Sequence, residues 1–193
     1  MFATRDGSGS SGNWRAGSPP PARVLGIDPG VSRCGYGCIE RDGGGVVAVA
    51  AGVVTTAPAD PLPSRLVELA RELDALVREL APDAVAVERV LFQTNARTAM
   101  SVGQAAGLAL VSAERAGCEI ATYSANEVKL AVCGWGGATK EQVQRSVQLL
   151  CKLPTVPRPP DVADALGLAL CHLSATRGRD RIAAALDARK GRS

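Results

Sequence analysis

The order of the predicted elements favours an α/β domain in which about five strands form a mixed sheet with helices on both faces. Three strand-like segments come first, separated by the short turns "DPGVSR" and "RDGGG". Turns this short and rich in glycine are typical of an antiparallel meander. Strand-like and helical segments then alternate along the rest of the chain, which favours one mixed sheet covered by helices.

Alternation of apolar residues and turn residues locates the first half of the domain. The first three strands are predicted at residues 23–28, 34–40 and 46–55. Leucine then recurs at helical spacing from Leu66 to Leu80, so we expect an amphipathic helix that ends before Pro82. A short apolar strand, "DAVAVE", follows this helix and finishes in Glu88.

The second half contains a further strand among four predicted helices. A helix over residues 95–116 should end at Gly117, since glycine commonly terminates helices. The strand "CEIATYS" comes next. Two capping-box patterns then open helices, Ser124 with Glu127 and Thr139 with Gln142. The final helix is predicted over residues 161–174.

Composition indicates one domain outside the membrane. The chain has 193 residues, of which 46% are hydrophobic, enough for a substantial core. No apolar run approaches the roughly 20 residues of a membrane helix. Residues 1–22 are rich in Gly, Ser and Pro and lack the apolar centre of a signal peptide, so we expect a disordered extension and a cytoplasmic protein. The domain then covers residues 23–174, and residues 175–193 form a basic, flexible tail.

Charge and thiol content exclude several classes of site. The net charge is +3, and the excess lies in the tail, so the domain is not basic overall. The six cysteines show no C-x-x-C spacing and His172 is the only histidine, which argues against a zinc site and against a Ser-His-Asp triad. We therefore expect reduced thiols that fill the core.

Four carboxylates stand at positions where the predicted fold can bring them together. Asp28 and Glu88 each end a strand, and strand ends in an α/β sheet gather at one edge. Asp161 and Asp164 are three residues apart, so they face the same side of the last helix. Each also has an ordinary explanation: Asp28 can open the turn at Pro29, Asp161 can cap a helix, and Asp164 suits the helix dipole.

Taken together, the four acids indicate a metal site. Carboxylates without histidine or thiolate partners are hard oxygen ligands, which suit Mg²⁺ or Mn²⁺. Two such ions roughly 3.5–4 Å apart can activate water and stabilise the leaving oxygen in phosphodiester hydrolysis. A bound metal would also explain why an apolar strand ends in Asp28, because an unpaired buried carboxylate is costly.

The segments that carry these acids resemble a known family. "RVLGIDPGVSRCGYG", "VAVERVLFQTN", "GWGGATKEQVQ" and "PPDVADALGLALCH" are similar, in this order, to motifs of RuvC, the bacterial Holliday junction resolvases. The resemblance runs from about Arg23 to Leu173. It implies a ribonuclease-H-like fold, a homodimer, and symmetric paired nicking of four-way DNA junctions in recombination and repair. It also implies two Mg²⁺ ions, for which Mn²⁺ can substitute, and the partner proteins RuvA and RuvB.

The resemblance also assigns roles to individual residues. The catalytic, metal-binding acids correspond to Asp28, Glu88, Asp161 and Asp164. The expected DNA contacts are Leu91, Phe92, Asn95, Lys129 and Lys140. Lys140 opens a helix, where free backbone N–H groups favour a phosphate, although a solvated surface charge explains Lys140 equally well and a solvated helix face explains Lys129 better.

One position departs from the family pattern. The family usually has Phe three residues after the strand-end Glu, where it wedges against bases at the junction. Here that position is Leu91, and Phe92 follows it. We expect the segment to be re-aimed so that Phe92 faces the junction; the alternative is that Phe92 packs in the core and Leu91 makes the contact.

Other functions are compatible with parts of the pattern. A ribonuclease-H-like nuclease of the YqgF type, acting on RNA or on another branched DNA, would need the same metal site. Actin-like ATPases and sugar kinases share "GID-x-G" but need a second lobe, for which 193 residues leave no room. A DNA-binding module without activity would not place four carboxylates beside phosphates. The helix over residues 95–116, rich in Ala, Gly and Ser, is the expected dimer contact.

Overall fold

The structure is a computed structural model that describes residues 22–89 and 96–190, without the side chains of residues 96–98 and 177–190. Its strands are β1 (Arg23–Asp28), β2 (Arg33–Asp42), β3 (Gly45–Thr55), β4 (Ala84–Glu88) and β5 (Glu119–Tyr123). Its helices are α1 (Leu62–Leu80), α2 (Ala96–Arg115), α3 (Ala125–Cys133), α4 (Lys140–Leu150) and α5 (Pro160–Lys190).

The five strands form one mixed sheet in the order β3-β2-β1-β4-β5. The first three strands pair antiparallel, as predicted, with a register shift between Cys38 and Ile39. β4 joins β1 in parallel, and β5 joins β4 in parallel. The carboxyl ends of β1, β4 and β5 therefore lie at the same edge of the sheet.

Helices cover both faces, which confirms the predicted architecture. On one face, α1 and α2 pack against the sheet through a core that includes Leu25, Leu69 and Val85. On the other face, α3, α4 and α5 share a core with Val24 and Ala86. Neighbouring residues of one strand thus belong to opposite cores, as the alternation of side chains along a strand requires.

Helix α5 lies unusually close to the sheet because glycines replace side chains beneath it. A Cβ at Gly26 would overlap the backbone oxygen of Ala165, and one at Gly37 would lie 2.7 Å from Cγ of Leu166. Both glycines lie in the centre of strands, where a residue without a side chain allows another backbone to approach. The strands β1 and β2 therefore contact the α5 backbone directly.

The structure corrects one predicted boundary. The last helix does not end near Ser174 but continues to Lys190. Residues 175–190 are basic, which suggested a flexible tail, but they are also rich in Ala and Arg, which favour helix. The predicted ends of α1 and α2 are confirmed: Ala81 and Gly117 both adopt positive φ just beyond them. The proposed division into extension, domain and tail stays a prediction.

The cysteines are reduced and mostly buried. All six cysteines are free, and every one except Cys133 is buried. Burial raises the pKa of the Cys171 thiol to about 12, so this group stays protonated.

Among the residues that the structure describes, we find no helix with the length and apolar character to cross a bilayer.

Candidate active site

The site begins where two parallel strands end side by side. Ile27 of β1 is in register with Val87 of β4, so the next residues, Asp28 and Glu88, emerge together at the edge of the sheet. Both side chains are partly buried. The edge position that the sequence predicted for these two acids is confirmed.

The first turn of α5 brings the other two acids to the same edge. Gly35 of β2 pairs with Asp28, and a Cβ at Gly35 would overlap the backbone oxygen of Asp161. The missing side chain therefore allows the start of α5 to lie directly beside the end of β1. Asp164 follows one turn later and faces the same side.

The four acids line a single cavity with a volume of about 490 Å³. Two lysines, Lys129 of α3 and Lys140 of α4, line it as well. The apolar part of the lining includes Val128, Val143 and Leu168. Every predicted site residue within the described ranges thus lies around one cavity.

Burial and mutual repulsion perturb three of these carboxyl groups. Burial, reinforced by the charges of Glu88, Asp164 and Asp161, raises the pKa of Asp28 to about 8. Burial also raises the pKa of Glu88 and that of Asp164 above their usual values, although Lys140 opposes both shifts. Ionised carboxylates are therefore costly at this site, and the nearby lysine does not compensate for their burial.

Asp161 behaves differently because it has a cationic partner. Nη2 of Arg33 donates a hydrogen bond to Oδ2 of Asp161 at 2.9 Å and forms an ion pair with it. This bond is the main reason why the pKa of Asp161 lies below its usual value. Arg33 was not among the predicted site residues, since a single arginine at the start of a strand carries no recognisable pattern.

The four carboxylates are suitable ligands for a hard divalent cation, although their side chains are not arranged to coordinate one in this structure. Within the described ranges, no three acidic, histidine or cysteine side chains are close enough to hold an ion as they stand. Asp161 bonds to Arg33, and the carboxyl of Asp28 shares a hydrogen bond with Glu88. All four groups nevertheless offer oxygen ligands, which Mg²⁺ and Mn²⁺ prefer.

The lysines are held in place by well-capped helices. Ser124 and Thr139 form both predicted capping boxes, with Glu127 and Gln142 respectively. Lys140 is the first residue of α4, and its charge helps to lower the pKa of Asp161. Its side chain is exposed, whereas Lys129 is partly buried. A phosphate at the mouth of the cavity would meet Lys140 together with the free N–H groups of α4.

Comparison with known proteins identifies the family. The family model for crossover junction endodeoxyribonuclease RuvC matches residues 24–172. A relative of that name from Salinispora arenicola is 51% identical over 171 residues, which cover 88% of this chain and 98% of the relative. The chain belongs to the RuvC family. It is therefore a nuclease of the crossover junction endodeoxyribonuclease class, and the alternative of a YqgF-type enzyme is not favoured.

Solved structures of resolvases agree with this assignment. Thermus thermophilus RuvC in complex with Holliday junction substrate is 35% identical, with a TM-score of 0.77 over 81% of this chain and 96% of that one. The yeast mitochondrial Holliday junction resolvase Ydc2 shares 15% identity, with a TM-score of 0.59 over 84% of both chains. The second similarity shows the fold alone. Both confirm the predicted ribonuclease-H-like architecture.

Several predicted residues lie outside this description. Leu91, Phe92 and Asn95 fall within residues 90–95, so their contacts with DNA, and the departure from the RuvC pattern at Leu91, stay predictions. His172 lies away from the lining of the cavity, in the core. It is buried, and its Nδ1 lies 2.9 Å from the hydroxyl of Tyr123.

Proposed function

We propose that this protein resolves Holliday junctions in DNA recombination and repair by paired symmetric nicks that depend on two divalent metal ions. One observation carries the proposal: four carboxylates from three separate elements line the same cavity in a member of the RuvC family. The structure of a 35% identical relative with junction substrate supports a branched DNA as the target.

The four acids would hold the ions, with Mg²⁺ as the natural cofactor and Mn²⁺ as a substitute. When bound, such ions activate a water and stabilise the leaving oxygen of the phosphodiester. Asp28 and Glu88 supply rigid ligands because each ends a strand of the sheet, and Asp164 supplies a third from α5. Lys129 and Lys140 attract and orient the scissile phosphate. Leu91, Phe92 and Asn95 complete the proposed contact with the junction.

Cleavage of a matched set of substrates tests the proposed specificity. The protein should be incubated in Mg²⁺ with a four-way junction, a linear duplex of the same sequence and an RNA–DNA hybrid. We expect nicks at symmetric positions in two opposite strands of the junction, at a rate at least about 100-fold above that on the duplex. Equal or faster cleavage of the hybrid would instead favour an RNA-processing nuclease.

A homodimer is part of the proposal because a junction with two-fold symmetry needs two equivalent active sites. The small residues Ala105, Ala106 and Ala109 of α2 pack inside the protomer, so they do not form the contact. The opposite side of α2 presents Met100 and Val111, which are 64% and 47% exposed. These two residues are 11 apart, which is close to three helical turns, so they share a face.

Variants on that face test the dimer. Val111→Arg should produce monomers that bind junctions but rarely nick both strands, because an arginine cannot be buried there without a partner. Val49→Arg is the matched control, since Val49 is 44% exposed on β3 at the far edge of the sheet. Light scattering should report a dimer for the wild type and for the control. A dimeric Val111→Arg would contradict the proposed interface.

Two further parts of the proposal follow from the family. RuvA and RuvB are the proposed partners, as branch-migration proteins that bring a junction to the resolvase. The cytoplasm is the proposed location, because chromosomal DNA is the proposed substrate. Co-purification of this protein with RuvA and RuvB on a synthetic junction would support the proposed partnership. Recovery of the junction with this protein or with RuvA and RuvB, but never with all three together, would contradict it.

A further inference from the structure

The ion pair between Arg33 and Asp161 has a consequence for metal binding. Within the described residues, it is the one salt bridge that engages any of the four acids. We propose that Arg33 competes with the metal for Asp161 and so acts as a positioning residue that sets the affinity of the site. This inference rests on the proposed function, since it concerns the same four carboxylates.

The geometry places Arg33 and the cavity at the same carboxylate group. Arg33 begins β2 and Asp161 lies in the first turn of α5, and the two elements meet at Gly35. The guanidinium bonds to Oδ2 of Asp161, one of the two oxygens that this carboxylate could offer to a metal ion in the cavity. A carboxylate oxygen that accepts a charge-assisted hydrogen bond is a poorer ligand for a cation, because the guanidinium already shares its negative charge.

The ion pair between Arg33 and Asp161 lies where it can separate easily. The side chain of Arg33 is 50% exposed and that of Asp161 is 24% exposed, so the pair lies at the rim of the cavity. Exposed ion pairs contribute little net stability, since water solvates both partners when they separate. A metal bound to Asp161 can therefore displace Arg33 at small cost, whereas it would not displace a fully buried arginine so readily.

Asp161 differs from the other three acids in having a cationic partner, which supports a separate role for it in metal binding. Asp28, Glu88 and Asp164 have raised pKa values because they are partly buried together without such a partner. A metal would relieve repulsion among these three as it replaced the hydrogen bond between Asp28 and Glu88, whereas recruiting Asp161 means displacing a cationic side chain. Asp161 thus becomes a conditional ligand whose availability depends on Arg33.

A purely structural role for the bridge predicts a different outcome. If Arg33 serves only to anchor α5 to β2, its removal should loosen the first turn of α5 and weaken metal binding or leave it unchanged. Competition predicts tighter binding, because the variant frees Asp161 and also removes a positive charge from the neighbourhood of the cation. The sign of the change in affinity therefore separates the two roles.

Calorimetric titration with Mn²⁺ in the absence of DNA measures this sign directly. Arg33→Gln should bind Mn²⁺ about two- to five-fold more tightly than the wild type, the range expected when an exposed ion pair no longer has to be broken. Arg33→Lys keeps a cation at this position and should stay within about two-fold of the wild type. Unchanged or weaker binding by Arg33→Gln would overturn the inference.

A matched control and a double-mutant cycle exclude a general effect of charge. Arg65 lies nearby, but it donates hydrogen bonds to Ser32 and Thr56 and not to an acid of the cavity, so Arg65→Gln should leave the affinity within about 1.5-fold. In an Asp161→Asn background, Arg33→Gln should lose most of its effect, because the bond that couples the two residues is already absent. Equal tightening in both backgrounds would contradict direct competition.

The same titrations distinguish failure of the inference from failure of the proposed function. If the wild type bound no Mn²⁺, or if Asp28→Asn bound it as tightly as the wild type, the metal site itself would be wrong and the inference with it. If the wild type bound Mn²⁺ and Asp28→Asn did not, while Arg33→Gln matched the wild type, the role of Arg33 alone would be overturned.

Discussion

The two faces of the sheet are built in different ways. On the face covered by α1 and α2, bulky side chains such as Leu69 and Leu73 fill the space between helix and sheet. On the face covered by α5, Gly26 and Gly37 leave no side chain, and the helix backbone rests on the strands. The first face resembles an ordinary apolar core, whereas the second holds one helix at a fixed and very short distance.

This difference separates stability from the geometry of the active site. Two of the four acids belong to α5 and the other two end strands of the sheet, so the distance between α5 and the sheet decides whether they meet. The α1 and α2 face contributes none of the four acids. Changes in the core between these two helices and the sheet should affect folding alone, whereas changes beneath α5 should affect the chemistry as well.

The largest effect is expected from a side chain introduced beneath the centre of α5. In Gly26→Val, the new Cβ would overlap the Ala165 carbonyl oxygen, and neither backbone can yield without disrupting the sheet. We expect a loss of more than about 3 kcal/mol in the free energy of unfolding, near the upper end for overpacked cores. Urea unfolding followed by circular dichroism measures it.

The same substitution in an open position provides the control. A Cβ at Gly45, at the start of β3, meets mainly the end of the flexible Lys152 side chain, 3.2 Å away. Gly45→Val should therefore change the free energy of unfolding by less than about 1 kcal/mol, since valine suits a strand. Similar losses in both variants would show that close packing beneath α5 has no special role.

A core truncation on the other face sharpens the comparison. Leu69→Ala removes a fully buried side chain of α1 and should cost about 2–5 kcal/mol. The folded protein should still nick junctions within about two-fold of the wild-type rate at low temperature, because the variant leaves α5 and the four acids in place. A large loss of activity in the fully folded variant would show that both faces control the site.

Among the destabilising variants, Gly35→Ala, which faces the first turn of α5, should lose the least stability but should lose activity selectively. Gly35→Ala places a methyl group against the backbone of Asp161 at the edge of the sheet, where the helix end can shift. We expect a cost of about 1–3 kcal/mol. We also expect at least about 10-fold slower nicking, since small displacements of catalytic groups are costly. Nicking at the wild-type rate would contradict a geometric role for Gly35.

Much of this architecture could be predicted from local sequence patterns. Leucine spacing located α1, capping boxes located the starts of α3 and α4, and short glycine turns indicated the antiparallel meander. The edge position of Asp28 and Glu88 followed from general rules for strand ends. These features depend on residues that are close in sequence, so their patterns are visible without the fold.

The features that were not predicted depend on contacts between distant segments. Arg33 and Asp161 are 128 residues apart, and only the packing of α5 on β2 brings them together. Gly26 and Gly37 lie against α5, and no local pattern predicts that a helix approaches the sheet at these two positions. The continuation of α5 to Lys190 was missed because charged residues between alanines are equally compatible with a helix and with a tail.

The most direct test of the central claim is the nicking rate of Asp28→Asn on a four-way junction under single-turnover conditions in saturating Mg²⁺. The substitution keeps the shape of the side chain but removes the charge at the end of β1. We predict a decrease of at least about 1000-fold, as expected when several kcal/mol of transition-state stabilisation is lost. Junction binding should persist, because the lysines beside the cavity are unchanged, and it should tighten where bound metal keeps the wild-type Asp28 ionised near the phosphates. A rate within about 10-fold of the wild type would contradict the claim that these four carboxylates form the active site.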